Sequence, residues 1–149
     1  MALKAMTAEE LANLPTYYVM DRDADMPATV APDMPSAAEI AACKWLPDDE
    51  LAVYAGEFAR TTFQGGLQWY RCRTQGVGLA ELEVFSGRAI EVPACFIAGA
   101  SDWGVYQKPG DLQRMHAVCS QWRGVHLVPG AGHWVQQERP DAALRLLLQ

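Results

Sequence analysis

Two short turns hold the residues of this sequence whose types and spacing suit catalysis. Gly99-Ala100-Ser101-Asp102-Trp103-Gly104 carries a carboxylate, and Gly130-Ala131-Gly132-His133-Trp134 carries an imidazole 31 residues later. A carboxylate beside an imidazole accepts the Nδ1–H, fixes the tautomer and stabilises the imidazolium, which leaves Nε2 to act as a base. The glycines around His133 let the backbone turn sharply and come close to the site. Trp103 and Trp134 stand next to the two polar residues, placed to line an apolar pocket for substrate. Asp102 alone reads as an ordinary turn or capping aspartate; its partner turn changes that reading. Ala100-Ser101-Asp102-Trp103-Gly104 also fits the small-x-nucleophile-x-small pattern of a nucleophile elbow. Against the elbow, an elbow feeds directly into a helix, and Pro109 delays helix initiation here.

Each turn must be held by the element before it. Val92-Pro93-Ala94-Cys95-Phe96-Ile97-Ala98 is a nearly continuous apolar run, as in a strand of a parallel sheet buried on both faces. Val125 to Val128 reads as a second, short strand. A helix from about Pro109 to Val118 joins them. A last helix opens at Pro140 with Asp141 in its first turn, and Ala143, Leu144, Leu147 and Leu148 form its apolar stripe. This is a βαβα unit with a right-handed crossover, so the fold class is α/β with parallel strands. In open α/β sheets ligands bind beyond the carboxyl ends of the strands, which is where both turns fall. Two parallel strands are too few to hide both faces of a sheet, so the chain is expected to be part of a larger fold.

Residues 1 to 88 follow a helical grammar. Thr7-Ala8-Glu9-Glu10 and Ser36-Ala37-Ala38-Glu39 match the capping box, opening helices to about Leu14 and Trp45. Residues 16 to 35, with Pro27, Pro32 and Pro35, read as an irregular excursion. A helix from about Pro47 carries Leu51, Tyr54 and Phe58 on one face. Gly65-Gly66 is expected to break it, Leu67 to Cys72 to begin another helix, and residues 74 to 80 to form a loop. Trp45, Trp69 and Trp122 read as packing residues, and His116 and His126 as ordinary helix and strand residues.

The motif strings resemble the soluble epoxide hydrolase branch of the α/β-hydrolases over roughly residues 15 to 149. VPACFIAGASDWG matches the strand and acid turn, and VHLVPGAGHWVQQERP the strand, histidine turn and last helix. DDELAVYAGEFARTTFQGGLQWYR is similar to the helical cap. The resemblance implies a cap-like segment over residues 1–88 and the C-terminal βαβα part of the core over residues 89–149. It also implies that Tyr70, in Gln68-Trp69-Tyr70-Arg71, binds and protonates an epoxide oxygen. A second cap tyrosine is expected near Tyr17-Tyr18; Tyr18 is taken as the substrate-binding candidate, with the choice between them open. The family's oxyanion-hole H-G-x-P segment and its nucleophilic aspartate turn are not in the sequence. The resemblance therefore implies a truncated chain, inactive alone, whose complete enzyme converts a small apolar epoxide to a diol with no cofactor. The same scaffold supports haloalkane dehalogenase-like or ester hydrolysis. A further alternative is a binding or assembly module that self-associates or pairs with a missing N-terminal half.

Composition narrows the classes. The chain has 149 residues, 50% hydrophobic and 20% charged, with 12 Lys and Arg against 18 Asp and Glu and a net charge of −6. That balance excludes a disordered tail and argues against nucleic-acid binding, since no basic stripe is present to neutralise phosphates. No apolar run reaches the ~18 residues of a spanning helix, and the N-terminus lacks the apolar stretch of a signal peptide, so a cytoplasmic protein is expected. The 4 cysteines never form C-x-x-C, which points to reduced thiols and no zinc site. Asp21, Asp23 and Asp25 resemble half a calcium loop but lack its glycine and its last glutamate, so no metal is expected.

Overall fold

A computed structural model describes residues 14–18, 20–107 and 110–149. The chain divides into two compact units, residues 1–44 and 45–149. The first capping box, at residues 7–10, lies outside the described residues, as does Pro109.

In the first unit, the segment expected to be irregular contains a short helix, α1 (Met26–Val30), followed by a 3-10 turn at Ala31–Asp33. The reason is a cap. The Asp25 carboxylate accepts the Ala28 N–H at 2.8 Å, and Pro27 sits in the first turn, where its missing N–H costs nothing. Asp25 is therefore occupied as a capping residue. Among the described residues no group of three or more His, Cys, Asp or Glu side chains is arranged to hold a metal ion. The Ser36 capping box forms as the sequence predicts and opens α2 (Ala37–Ala42), which stops three residues short of Trp45. The Ser36 hydroxyl, and after it the Ser36 backbone N–H, donate to Glu39 and hold its carboxyl below its ordinary value.

The second unit begins with α3 (Asp48–Thr61). Pro47 is its cap, and Asp48, Asp49 and Glu50 complement the helix dipole in its first turn. Gly65-Gly66 does not break the chain as expected, because both glycines lie inside α4 (Gln64–Gln75). The break is at Thr62, which takes φ 58° and uses its hydroxyl to accept the Gln64 N–H. Positive φ is rare for a β-branched residue, so no sequence rule would have chosen Thr62. Gly76, in the left-handed region, ends α4, and a short helix α5 (Leu79–Leu82) replaces part of the expected loop. Trp69 is 70% exposed, contrary to the packing role expected of it.

β1 (Ile90–Gly99) and β2 (Cys119–Val128) pair in parallel, from Ile90 beside Cys119 to Gly99 beside Val128. Both strands are longer than the sequence indicates. β2 starts six residues early, where the ladder with β1 recruits a polar stretch that has little strand character of its own. Between the strands, α6 (Asp111–Arg114) and a 3-10 turn at Met115–Val118 stand in place of one continuous helix. Burial on both faces of β1 is not observed: its first residues are exposed and only Ala98 and Gly99 are buried. The core sits at the carboxyl ends of the strands, where Val128, Ala131 and Val135 cluster with Ile97, Ala142 and Leu146. Burying such a valine contributes about 1.5–3 kcal/mol, so the packing is concentrated beneath the two turns.

α7 (Val135–Glu138) and α8 (Pro140–Leu147) complete the unit. On α8 the buried residue is Ala143, with Ala142 and Leu146 packed on the core. Leu144, Leu147 and Leu148, expected in the packed stripe, are 55%, 67% and 77% exposed. The apolar face is broader than the part covered. No described helix is long and apolar enough to cross a membrane.

Candidate active site

The parallel register places the ends of β1 and β2 side by side, and the turns that follow are stitched together by backbone. The Ala100 N–H donates to the Val128 carbonyl at 2.9 Å, and the Ser101 N–H to the Ala131 carbonyl at 3.0 Å. Gly99 makes this possible. A Cβ there would lie 2.1 Å from the Gly132 carbonyl oxygen and 2.3 Å from that of Ala131, so only glycine lets the two turns approach so closely.

Asp102 follows in an ordinary extended conformation (φ −75°, ψ 107°) and caps a single 3-10 turn, Trp103–Tyr106. Its Oδ1 accepts the Gly104 N–H at 2.9 Å, and the residue is buried, 9% exposed. A nucleophile elbow is a sharp, strained strand-to-helix turn; Asp102 has neither the strain nor the following α-helix. The carboxylate faces His133 instead. Nδ1 of His133 lies 3.2 Å from Oδ2 and 3.3 Å from Oδ1. These distances are long for an ionised pair, which forms bonds of about 2.7–2.9 Å; catalytic hydrogen bonds commonly tighten only when substrate is bound. The His133 side chain is 59% exposed, and among the described residues its Nε2 has no hydrogen-bond partner. The arrangement is an imidazole anchored at one nitrogen and open at the other.

Trp134 stands edge-on to His133, with ring centroids 5.1 Å apart. It also borders an apolar cleft of about 150 Å³ formed with Trp45, Leu46, Leu51, Tyr54 and Gln137. Gln137 Nε2 donates to the Tyr54 hydroxyl at 2.8 Å, tying α3 to α7. Trp103, half-buried in the turn after Asp102, is not among the residues of that cleft. Tyr70 lies in α4 with the residue 66% exposed; among the described residues no hydrogen bond joins its hydroxyl to either turn. The Tyr17 and Tyr18 rings lie 4.8 Å apart, tilted by 43°, within the first unit. The structure thus brings Asp102, His133 and Trp134 together, and does not bring Tyr70 to them.

Sequence reasoning missed Gly99, Tyr54, Gln137 and Glu138. Glu138 accepts the Gly132 N–H at 2.7 Å and the Trp134 N–H at 3.0 Å, one on each side of His133. Its signal was present: a tight glycine turn leaves N–H groups in need of acceptors, and a glutamate follows within one helical turn of Trp134.

No protein-family model matches the chain. Among curated proteins, epoxide hydrolase A of Mycobacterium tuberculosis (strain ATCC 25618 / H37Rv) is 41% identical over 106 residues, covering 70% of this chain and 31% of its own length. Epoxide hydrolase B of the same strain is 36% identical over 105 residues, covering 70% of this chain and 29% of its own. Among solved structures, epoxide hydrolase A from Mycobacterium thermoresistibile superposes with a TM-score of 0.60 at 41% identity, over 71% of this chain and 32% of that one. Potato epoxide hydrolase I gives a TM-score of 0.60 at 29% identity, over 77% and 36%. The chain therefore spans less than a third of the length of the curated relatives it matches. By sequence and by structure, this chain is an epoxide hydrolase-like part of the α/β-hydrolase fold.

Proposed function

We propose that Asp102 and His133 are the acid and base of an epoxide-hydrolysing site whose nucleophilic aspartate and oxyanion donors lie outside these 149 residues. The observation that supports this is the anchored imidazole: Nδ1 faces a buried carboxylate, Nε2 is open, and both residues stand at the carboxyl ends of adjacent parallel strands. In the first step the nucleophilic carboxylate attacks an epoxide carbon, the C–O bond breaks, and Tyr70 gives its proton to the departing oxygen. The product is an ester between the enzyme and a hydroxyalkyl group. In the second step His133 Nε2 takes a proton from water and the hydroxide attacks the ester carbonyl; the diol leaves with the proton of the acid so formed, the carboxylate is regenerated, and the imidazolium's proton returns through solvent to the Tyr70 phenolate. Asp102 stabilises the imidazolium formed meanwhile. Trp134 offers an apolar wall to the substrate, with Trp103 and Tyr18 as further binding residues. Residues 1–88 act as the cap and residues 89–149 as the end of the core. The 149-residue chain alone turns over no epoxide.

Tyr70 decides the substrate class. An alkoxide needs a proton as it leaves and a halide does not, so Tyr70→Phe acts on epoxides selectively. The chain can be grafted in place of the matching part of the Mycobacterium thermoresistibile enzyme. There, Tyr70→Phe is expected to lower kcat for an epoxide roughly a hundredfold, within the range for general acids. Unchanged epoxide turnover would take the proton-donor role away from Tyr70 and, with it, the main support that this chain's own residues give the epoxide reading.

A further inference from the structure

Besides the backbone bond from Ser101 to the Ala131 carbonyl, the turn that carries His133 is held by one carboxylate. Glu138 sits at the end of α7, half-buried, with its two oxygens on different backbone donors. Oε2 accepts the N–H of Gly132 at 2.7 Å, and Oε1 accepts the N–H of Trp134 at 3.0 Å. The residues on both sides of His133 are therefore fixed by the same group. Glu138 also returns its own backbone N–H to the Trp134 carbonyl at 2.8 Å, so α7 and the turn hold each other reciprocally. A Cβ on Gly132 would meet Glu138 Oε1 at 3.3 Å, which shows how closely the carboxylate is packed under the turn. Among the described residues no other side chain accepts the N–H of Gly132 or of Trp134. His133 is mostly exposed, and the Asp102 carboxylate reaches only its ring.

We propose that Glu138 is a positioning residue that sets the direction of the His133 imidazole toward Asp102. The proposal rests on the reading of His133 as the base, since that is what gives the direction its purpose. The chemistry demands an ionised acid. Two inward-pointing N–H groups need two acceptors with no donor, which a carboxylate supplies and a carboxamide of the same size does not. In Glu138→Gln one oxygen still accepts, while the NH2 group is turned against the second N–H. Charge-assisted hydrogen bonds to backbone are about twice as strong as neutral ones, so the two residues flanking His133 lose the side-chain restraint that holds them.

The test uses hydrogen exchange and imidazole NMR on the 149-residue chain, and needs no turnover. In Glu138→Gln the amides of Gly132 and Trp134 are expected to exchange about ten- to a hundredfold faster. The proton on His133 Nδ1, visible while it is held by Asp102, is expected to broaden or vanish. Amides in the β1–β2 ladder at Ala98 and Leu127 keep their protection, which separates lost positioning from general loosening of the fold. Glu138→Asp, ionised but one methylene shorter, restores one of the two amides. Unchanged exchange at Gly132 and Trp134 in Glu138→Gln, or free exchange there in the unaltered chain, would overturn the clamp. So would a His133 Nδ1 signal that survives loss of the clamp. A grafted enzyme whose turnover ignores His133→Asn while the clamp behaves as described would instead overturn the catalytic reading and leave the clamp standing.

Discussion

Asp102→Asn is expected to lower kcat for an epoxide in the grafted enzyme by about a thousand- to ten-thousandfold, with KM falling alongside it because only the hydrolytic step is slowed. The effect follows from which oxygen does what. Oδ1 of Asp102 already accepts the Gly104 N–H at 2.9 Å, so the carbonyl oxygen of an asparagine is drawn to that site. The NH2 group is then left facing His133 Nδ1, where the carboxylate oxygen stood 3.2 Å away. A donor there forces Nδ1 to accept, and the ring's one proton moves to Nε2. An imidazole protonated at Nε2 cannot take a proton from water, and the imidazolium loses its counter-charge. A factor of a thousand corresponds to about 4 kcal/mol of transition-state stabilisation. Because Asn keeps the cap on Gly104, the fold should melt within a few degrees of the unaltered protein. A loss of less than tenfold, with the melt unchanged, would mean that Asp102 is only a turn residue.

The second large effect needs no activity assay. Gly99→Ala puts a methyl group 2.1 Å from one backbone oxygen and 2.3 Å from another, and neither belongs to a side chain that can swing aside. The turns must part, breaking the Ser101–Ala131 bond that stitches them and carrying His133 away from Asp102. Overpacking of this kind costs about 3 kcal/mol, the upper end of its usual range, which lowers Tm by about 6–12 °C for a chain of this size. Gly56→Ala is the control, since nothing lies within 4 Å of the added methyl and the site is inside α3. A helical Gly→Ala change raises stability by up to about 1 kcal/mol. If the two substitutions behaved alike in a thermal melt, the close approach at Gly99 would not exist.

These residues also show what a sequence can and cannot disclose. The Asp102–His133 pair is legible because its parts are local: an apolar strand, a glycine-rich turn and one polar residue, twice over. The structure closes the pair through the ladder that aligns Gly99 with Val128. The Ser36 capping box is legible for the same reason, being complete within four residues. What escapes is decided between segments. Gly99 is required because another turn's carbonyl oxygens press on it, and nothing in its own neighbourhood reports that. The start of β2 is set by pairing with Ile90 and not by residues 119–124 themselves. The stripe on α8 is right at Ala143 and wrong at Leu144, Leu147 and Leu148, because a helix with apolar residues on more than one side offers several faces. Only packing against the Val128, Ala131 and Val135 cluster selects Ala142 and Leu146. Gly65-Gly66 misleads in the other direction, since glycine lowers helix propensity without forbidding a first turn.

In the proposed mechanism His133 activates the water of the second step and takes no part in forming the first bond. The most direct measurement is the intact mass of the grafted enzyme carrying His133→Asn after exposure to an epoxide. A gain of one epoxide mass per chain is expected, stable over many turnover times of the unaltered enzyme. Peptide mapping should place the adduct on the aspartate supplied by the host enzyme. An adduct on Asp102 would instead make that residue the nucleophile and overturn the assignment of Asp102 as the partner of His133. Continued diol formation by His133→Asn with no adduct would overturn the role of His133, since the second step would then need no base at this position.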